Sequence, residues 1–542
     1  MSLPVPRAAK QAFARGRSLV AGFVPAERER RQQLLARRTE TEQQLRALAE
    51  TGTKAFPGPV LVDGTWDNPN YWYRVTLLRA ALGLANGRET ALLGPHSRDA
   101  VRGAVRRLGF NAVRDLTRSP LSRREAVTQA GDLLAGVREP GDLLRLDLPH
   151  GLPAAIVYDG MLKRLRQATV EPSAPGLREM LAEALQASAA ASALFDDVKP
   201  EMVVLSHAIN FGCGAMAWEA ARRGVPAVVA YGNYGVPRFW KIRAPEDVFD
   251  SVNRPTGADL DALSPTAADW LAALGRSYLG RRLSGQTDDI GARYAYARRT
   301  GETSRAGMCA AFGWNPDLPI VAVYASNWFD FPHGCGMSSF VDYLDWLKVT
   351  LDGAKANAGV NWLFKAHPCD EWYGGITLSD LMQDRAAPHV RLAPTSWNGA
   401  AVMQAADAVV TVLGTAGLEY AALGKATLAA DRGWYHDSGF CLWPRTRAEY
   451  VAALARPWWK DLDPVQTRRR AEVFAGWYFC APEWQLGGQL ADDSEQNRLY
   501  ERYPSFLADN AAMIARETAL VSEWWRAPHR HYHVWKMLES LA

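Results

Sequence analysis

An apolar run that stops at a cation and a histidine, Asn361-Trp362-Leu363-Phe364-Lys365-Ala366-His367-Pro368, is the first stretch of this 542-residue chain suited to meet a phosphate. The run has strand length, and Pro368 holds its neighbours to extended or turn geometry. A strand ending there delivers Lys365 and His367 to a sheet edge. A second stretch reads Ala408-Val409-Val410-Thr411-Val412-Leu413, then Gly414-Thr415-Ala416-Gly417, then Leu418-Glu419-Tyr420 and, after Gly424-Lys425, Ala426-Thr427-Leu428-Ala429. This is the pattern of a buried strand, a small-residue turn, a helix stopped by glycine, and another strand. The glycines let the backbone approach a ligand, and the first amides of a helix lack internal partners, so the turn suits an anion such as phosphate. Glu419, within the first turn of that helix, is placed to reach a ribose beside it. Either motif alone also has a packing reading, since strand-Gly-x-x-Gly-helix recurs in α/β proteins and a loop histidine needs no role. Together they weigh more, because both loops fall at carboxyl ends of parallel strands, where open α/β sheets bind ligands.

The elements that position these groups continue upstream. A strand at 318–324 leads into Ser326 and Asn327, a further loop on the same cleft. In the amino-terminal half, the apolar run 153–158 reads as a short strand that ends on Asp159. An acid there serves either as a general base for an acceptor hydroxyl or as the cap of the following helix. Residues 201–207 repeat the arrangement and make His207 the second candidate for the base. The loop 63–70 contains Asp63, Thr65, Trp66 and Asn68, which suit an acceptor sugar and equally suit an Asx-turn.

The Lys365 and Gly414 motifs, with Asn327-Trp328-Phe329-Asp330-Phe331-Pro332-His333-Gly334, Asp342-Tyr343-Leu344-Asp345-Trp346-Leu347 and Ile156-Val157-Tyr158-Asp159-Gly160-Met161-Leu162-Lys163, resemble bacterial capsule and surface-polysaccharide glycosyltransferases, including the Kdo-transferase group. The resemblance spans about residues 150 to 440 and departs from the common pattern at Ala366, where a proline is usual. It implies the GT-B architecture, two Rossmann-like domains facing a cleft. It also implies that Asp159 acts as the catalytic base, that chemistry proceeds without a metal, and that the final helices return to the first domain.

Composition sets outer limits. With 48% hydrophobic and 22% charged residues the chain reads as globular, and a net charge of +4 is far below that of a dedicated nucleic-acid binder. Six cysteines, without Cys-x-x-Cys or zinc spacing, read as reduced cytosolic thiols. Twenty tryptophans tilt the balance towards a carbohydrate cleft. There is neither an apolar run of membrane-spanning length nor a signal-peptide core, so a cytoplasmic protein is expected, either free or peripheral on the inner face of the membrane. Residues 1–24 combine Arg7, Lys10, Arg15 and Arg17 with interleaved apolar side chains and read as a basic amphipathic helix for anionic lipid, or as a docked surface helix.

Four segments follow: a basic helical extension (1–55), an α/β acceptor domain (56–300), an α/β nucleotide-sugar donor domain (301–500) and C-terminal helices that return to the first domain (501–542). The expected activity is glycosyl transfer from a nucleotide sugar, CMP-linked or with another nucleotide, to a growing surface polysaccharide or glycolipid, with no other cofactor. Lys365, His367 and the turn amides would offset charge on the departing phosphate. The alternatives are a CDP-polyol phosphotransferase, a nucleotide-sugar 2-epimerase or hydrolase, and a non-catalytic subunit of polysaccharide assembly.

Overall fold

The computed structural model describes residues 25–94, 99–116, 118–233, 236–249, 254–287, 292, 296, 304–367, 376–383, 387–480, 488–490 and 496–532. The proposed lipid-binding segment 1–24 and Pro368 lie outside the described residues. Two sheets organise the chain. The first holds β1 (Pro59–Asp63), β2 (Arg88–Leu93), β3 (Ala112–Asp115), β4 (Met202–Leu205), β5 (Ala227–Asn233) and β6 (Val236–Ile242). The second holds β7 (Ile320–Tyr324), β8 (Asn361–Lys365), β9 (Val390–Leu392), β10 (Ala408–Thr411) and β11 (Ala426–Ala429). Strand order is β3-β2-β1-β4-β5-β6 in the first and β11-β10-β7-β8-β9 in the second. All neighbours are parallel except β5 and β6.

Each order reverses once, between β1 and β4 in the first sheet and between β7 and β10 in the second. Loops leaving the carboxyl ends of two such strands diverge to opposite faces and open a crevice. The fold is therefore α/β with two Rossmann-like halves, and each half has one topological switch point.

Parallel strands covered on both faces are apolar throughout, and alternate residues serve different cores. Val60 and Val62 pack with Tyr71, Leu77, Tyr503 and Trp524, whereas Leu61 faces Ile156, Leu162 and Leu181. That second core runs on without a break to Val321, Val323 and Phe364 of the other sheet. Helices Gln496–Asp509 and Ala511–Arg526 belong to the first sheet's core, and helix Pro25–Ala49 packs on the former.

Two elements differ from the sequence reading. The run 153–159 is not a strand: it opens helix Ala154–Leu165, with Asp159 in its middle. Residues 156–162 are all buried, so the run lacks a polar face by which a helical period could be told from a buried strand. Gly160 is a contact point within this helix, because a Cβ there would stand 2.4 Å from the Phe211 ring. The antiparallel strand β6 went unread because Pro237, Arg238 and Lys241 interrupt its apolar character. Helix Tyr343–Ala356 follows, capped by Asp342, whose carboxylate accepts from the Asp345 amide at 2.9 Å. Residues 325–342 are thus a long non-helical connection after β7.

Candidate functional site

In the second half, the carboxyl ends of β7, β8 and β10 bring the expected donor residues to one edge. Tyr324 lies in register with Lys365, and the Ala325 amide donates to the Lys365 carbonyl at 3.0 Å. Ser326 is buried, and its Oγ has no hydrogen-bond partner among the described residues. Asn327 is half-buried beside it. Lys365 is also half-buried and makes no ion pair among the described residues; burial alone lowers its pKa. His367 is likewise held below its ordinary pKa by burial, against a smaller opposing pull from Asp330.

The 414–417 turn is tighter than its glycines suggest. Gly414 stands at the N-cap of helix Thr415–Ala422 with ordinary dihedrals, and its amide donates to Thr411 Oγ1 at 3.3 Å. A Cβ on Gly417 would lie 2.3 Å from the Tyr435 hydroxyl, which itself donates to the Gly414 carbonyl at 2.8 Å. Gly417 therefore makes room for Tyr435 rather than for an open ligand approach. Thr415 is half-buried and Ala416 buried; Thr415 Oγ1 accepts from Arg282 at 3.2 Å. Glu419 is the fifth residue of the helix, one turn further in than expected. Its carboxylate is 1% exposed and is engaged by Arg282 Nε at 2.6 Å and by the Tyr296 hydroxyl. In this arrangement Glu419 is a buried strut between distant segments, not a group offered to a ribose. Lys425 is also committed, its ammonium donating to the carbonyls of Met403, Gln404 and Ala406 at the end of helix Gly399–Ala405.

At the first half's switch point the polar groups satisfy one another. Asp63 is buried and accepts from the Thr65 amide at 2.8 Å, the Thr65 hydroxyl at 2.7 Å, the Ser206 amide at 3.1 Å, the Ser206 hydroxyl and the Cys213 thiol. His207 bonds Ser206 Oγ at 3.0 Å and packs against Trp66, with ring centroids 4.9 Å apart; burial lowers its pKa. Asn68 caps helix Pro69–Leu82 by accepting from the Asn70 amide at 2.8 Å and the Tyr71 amide at 3.3 Å. Of the four expected acceptor residues, Thr65 alone lines the neighbouring cavity.

That cavity, about 640 Å³, opens between the loops after β1, β2 and β3 and the helices Ala154–Leu165, Leu177–Val198 and Phe211–Arg222. Leu116, Val127, Phe211 and Phe331 give it apolar walls, and Lys163 and Arg164 border it. Phe331 arrives from the connection after β7, so both halves contribute. Lys163 pairs with Asp330 at 3.2 Å and lies over the rings of Phe329 and Phe331. Two lining residues, Asn210 and Phe331, hold positive φ angles of 63° and 51°. For a bulky side chain this is a strained backbone, and such strain persists only where the surroundings enforce it.

Asp159 lies where this cavity meets the second half. It is 2% exposed, and among the described residues every donor to it comes from the connection after β7: His333 Nδ1 at 2.7 Å and the His333 amide at 3.4 Å to one oxygen, the Gly334 amide at 2.8 Å to the other. His333 is 5% exposed, and its Nε2 is buried without a hydrogen-bond partner among the described residues. Leaving a buried acceptor unmatched costs about 1–3 kcal/mol. The sequence contained one clue to His333, its place in the Phe331-Pro332-His333-Gly334 motif, but nothing in local spacing ties it to an acid 174 residues earlier.

No family model matches the chain, and no curated protein sequence matches it. Among solved structures it is similar to the UDP-GlcNAc 2-epimerase of Neisseria meningitidis bound to UDP-GlcNAc, with 12% identity, 78% of this chain and 96% of that one covered, and a TM-score of 0.22. It is also similar to the β-Kdo 2,4 transferase KpsC of Thermosulfurimonas dismutans, with 14% identity, 47% and 78% covered, and a TM-score of 0.30. A third likeness is to the spinosyn rhamnosyltransferase SpnG, with 11% identity, 89% and 100% covered, and a TM-score of 0.22. Such values say nothing of chemistry.

Proposed function

We propose that this protein is a glycosyltransferase that moves a sugar from a nucleotide-sugar donor to a surface polysaccharide or glycolipid acceptor. The donor's phosphates occupy the β7/β10 crevice beside Lys365, His367 and the amide end of helix Thr415–Ala422, with Ser326 and Asn327 on the facing loop. The acceptor occupies the cavity in the first half, and proton removal falls to the junction at which Asp159 and His333 meet. One observation carries this reading: Lys365, an ammonium half-buried without an acid among the described residues, shares its sheet edge with the unmatched hydroxyl of Ser326. A cation taken out of water without a partner is costly, and an incoming anion completes it.

Thermal denaturation with CMP-, CDP-, UDP-, GDP- and dTDP-linked donors tests the proposal, because a ligand bound only by the native state raises its midpoint. One donor class is expected to stabilise the protein and to bind at least about tenfold more weakly to Lys365→Ala. Stabilisation by none of them, or equal binding by the variant, counts against the crevice. Sugar release that no acceptor accelerates would move the activity to a hydrolase or epimerase.

A further inference from the structure

The geometry points to His333 as the group that takes the acceptor's proton, with Asp159 as the residue that positions it. This role presupposes the transferase activity proposed for the site. An ionised carboxylate only accepts hydrogen bonds, so the 2.7 Å contact fixes the proton on His333 Nδ1 and leaves the lone pair on Nε2. Asp159 itself is a poor base. Three donors already occupy its oxygens, and it has almost no free surface. The pair thus has the order of an orienting acid, an imidazole and an open nitrogen, which activates hydroxyls in unrelated enzymes.

Its location fits the task. Gly160, next to Asp159, and Phe331, two residues before His333, both line the acceptor cavity, and the connection that carries His333 leaves β7 at the donor crevice. Nε2 is covered in the arrangement described, and the strained backbone at Phe331 is where this connection yields to admit a hydroxyl. Beside the imidazole stand Asp159 and, across the edge-on Tyr158 ring at 5.5 Å, Asp342, which accepts from the Tyr158 hydroxyl; the Lys163–Asp330 pair lies three residues back along the same connection. Asp431 holds the far end of the connection through the amides of Ser338 and Ser339.

In the step, the acceptor's O–H proton passes to Nε2 while the oxygen's electron pair forms the bond to the anomeric carbon. The bond from that carbon to the donor's phosphate oxygen breaks, and its electron pair leaves on the phosphate. Asp159 stabilises the imidazolium, which then returns its proton to solvent.

Two measurements decide the matter. In ¹⁵N-histidine-labelled wild-type protein, the resonances lost in His333→Gln are expected to show a protonated Nδ1 and an unprotonated Nε2 near neutral pH. Protonation at Nε2 instead overturns the role. In steady-state assays, folded His333→Gln is expected to lose roughly 100-fold or more in kcat with unchanged donor binding. Asp159→Asn is expected to lose less, and its ¹⁵N spectrum to show part of the His333 rings protonated at Nε2, because an amide no longer fixes the proton on Nδ1. Turnover by folded His333→Gln within threefold of wild type overturns the role alone. No transfer by wild-type protein from any of the five donor classes overturns the transferase reading, and the role falls with it.

Discussion

The two switch points share a topology and differ in how their polar groups are used. After β1 and β4, Asp63 gathers donors from Thr65, Ser206 and Cys213, and His207 closes onto Ser206 and Trp66, so the first crevice is tied shut from within. After β7 and at the end of the neighbouring β8, Ser326 and Lys365 keep groups that no described residue answers. Strand order specifies where a crevice opens; the bonding of its side chains decides whether a ligand is needed to complete it. The first half places its open volume beyond its switch point, in the apolar cavity that Phe331 reaches from the other half.

The strongest way to break the contrast is Asp63→Ala. It leaves several buried donors unmatched and is expected to cost about 3 kcal/mol in a urea titration, with nucleotide affinity unchanged in the folded fraction. A loss of nucleotide affinity without a loss of stability would make the first crevice a ligand site after all. Lys365→Ala is expected to do the reverse, weakening nucleotide binding by about 2 kcal/mol, roughly 30-fold, with little change in stability. Because burial lowers the Lys365 pKa, the ammonium deprotonates at lower pH than a free lysine. Affinity should therefore fall as pH rises through that lowered value, below the usual 10.5, and Lys365→Arg should remove the fall. Binding isotherms across pH 6 to 10.5 check both statements.

A smaller effect sharpens the contrast inside the second crevice. Gly417→Ala presses on Tyr435 and is expected to cost about 1–2 kcal/mol, part of it recovered in the Gly417→Ala, Tyr435→Phe double variant. Unchanged stability with lost nucleotide binding would restore the open-turn reading of the sequence. Smallest of all, removal of residues 1–24 is expected to leave turnover of a soluble acceptor unchanged while lowering co-sedimentation with anionic vesicles.

Most of the parallel strands were legible because a buried strand is an uninterrupted apolar run, and the turn and cation loops were legible because they end such runs. Asp159 was legible as a candidate at the junction, but its setting was not, since a helix buried all round has no polar stripe to betray its period. What Glu419 does could not be read locally, because its partner Arg282 lies 137 residues away. A separation of 174 residues likewise hid His333 from Asp159. Glycine carried a double meaning: at 417 the missing side chain serves Tyr435, and sequence spacing does not separate room made for a neighbour from room made for a ligand.

The last described residues settle along the first sheet's open edge. The Tyr532 amide donates to the Phe239 carbonyl, His531 bridges to Trp240, and the ammonium of Lys241 holds the carbonyls of Trp524 and Ala527. An exposed edge strand is a template for pairing with other chains. During synthesis β6 emerges nearly three hundred residues before the segment that shields it, so the half translated first is the half completed last. A premature stop that spares the whole second half would still leave the first one sticky, and such truncations should accumulate as aggregates rather than as folded, inactive protein.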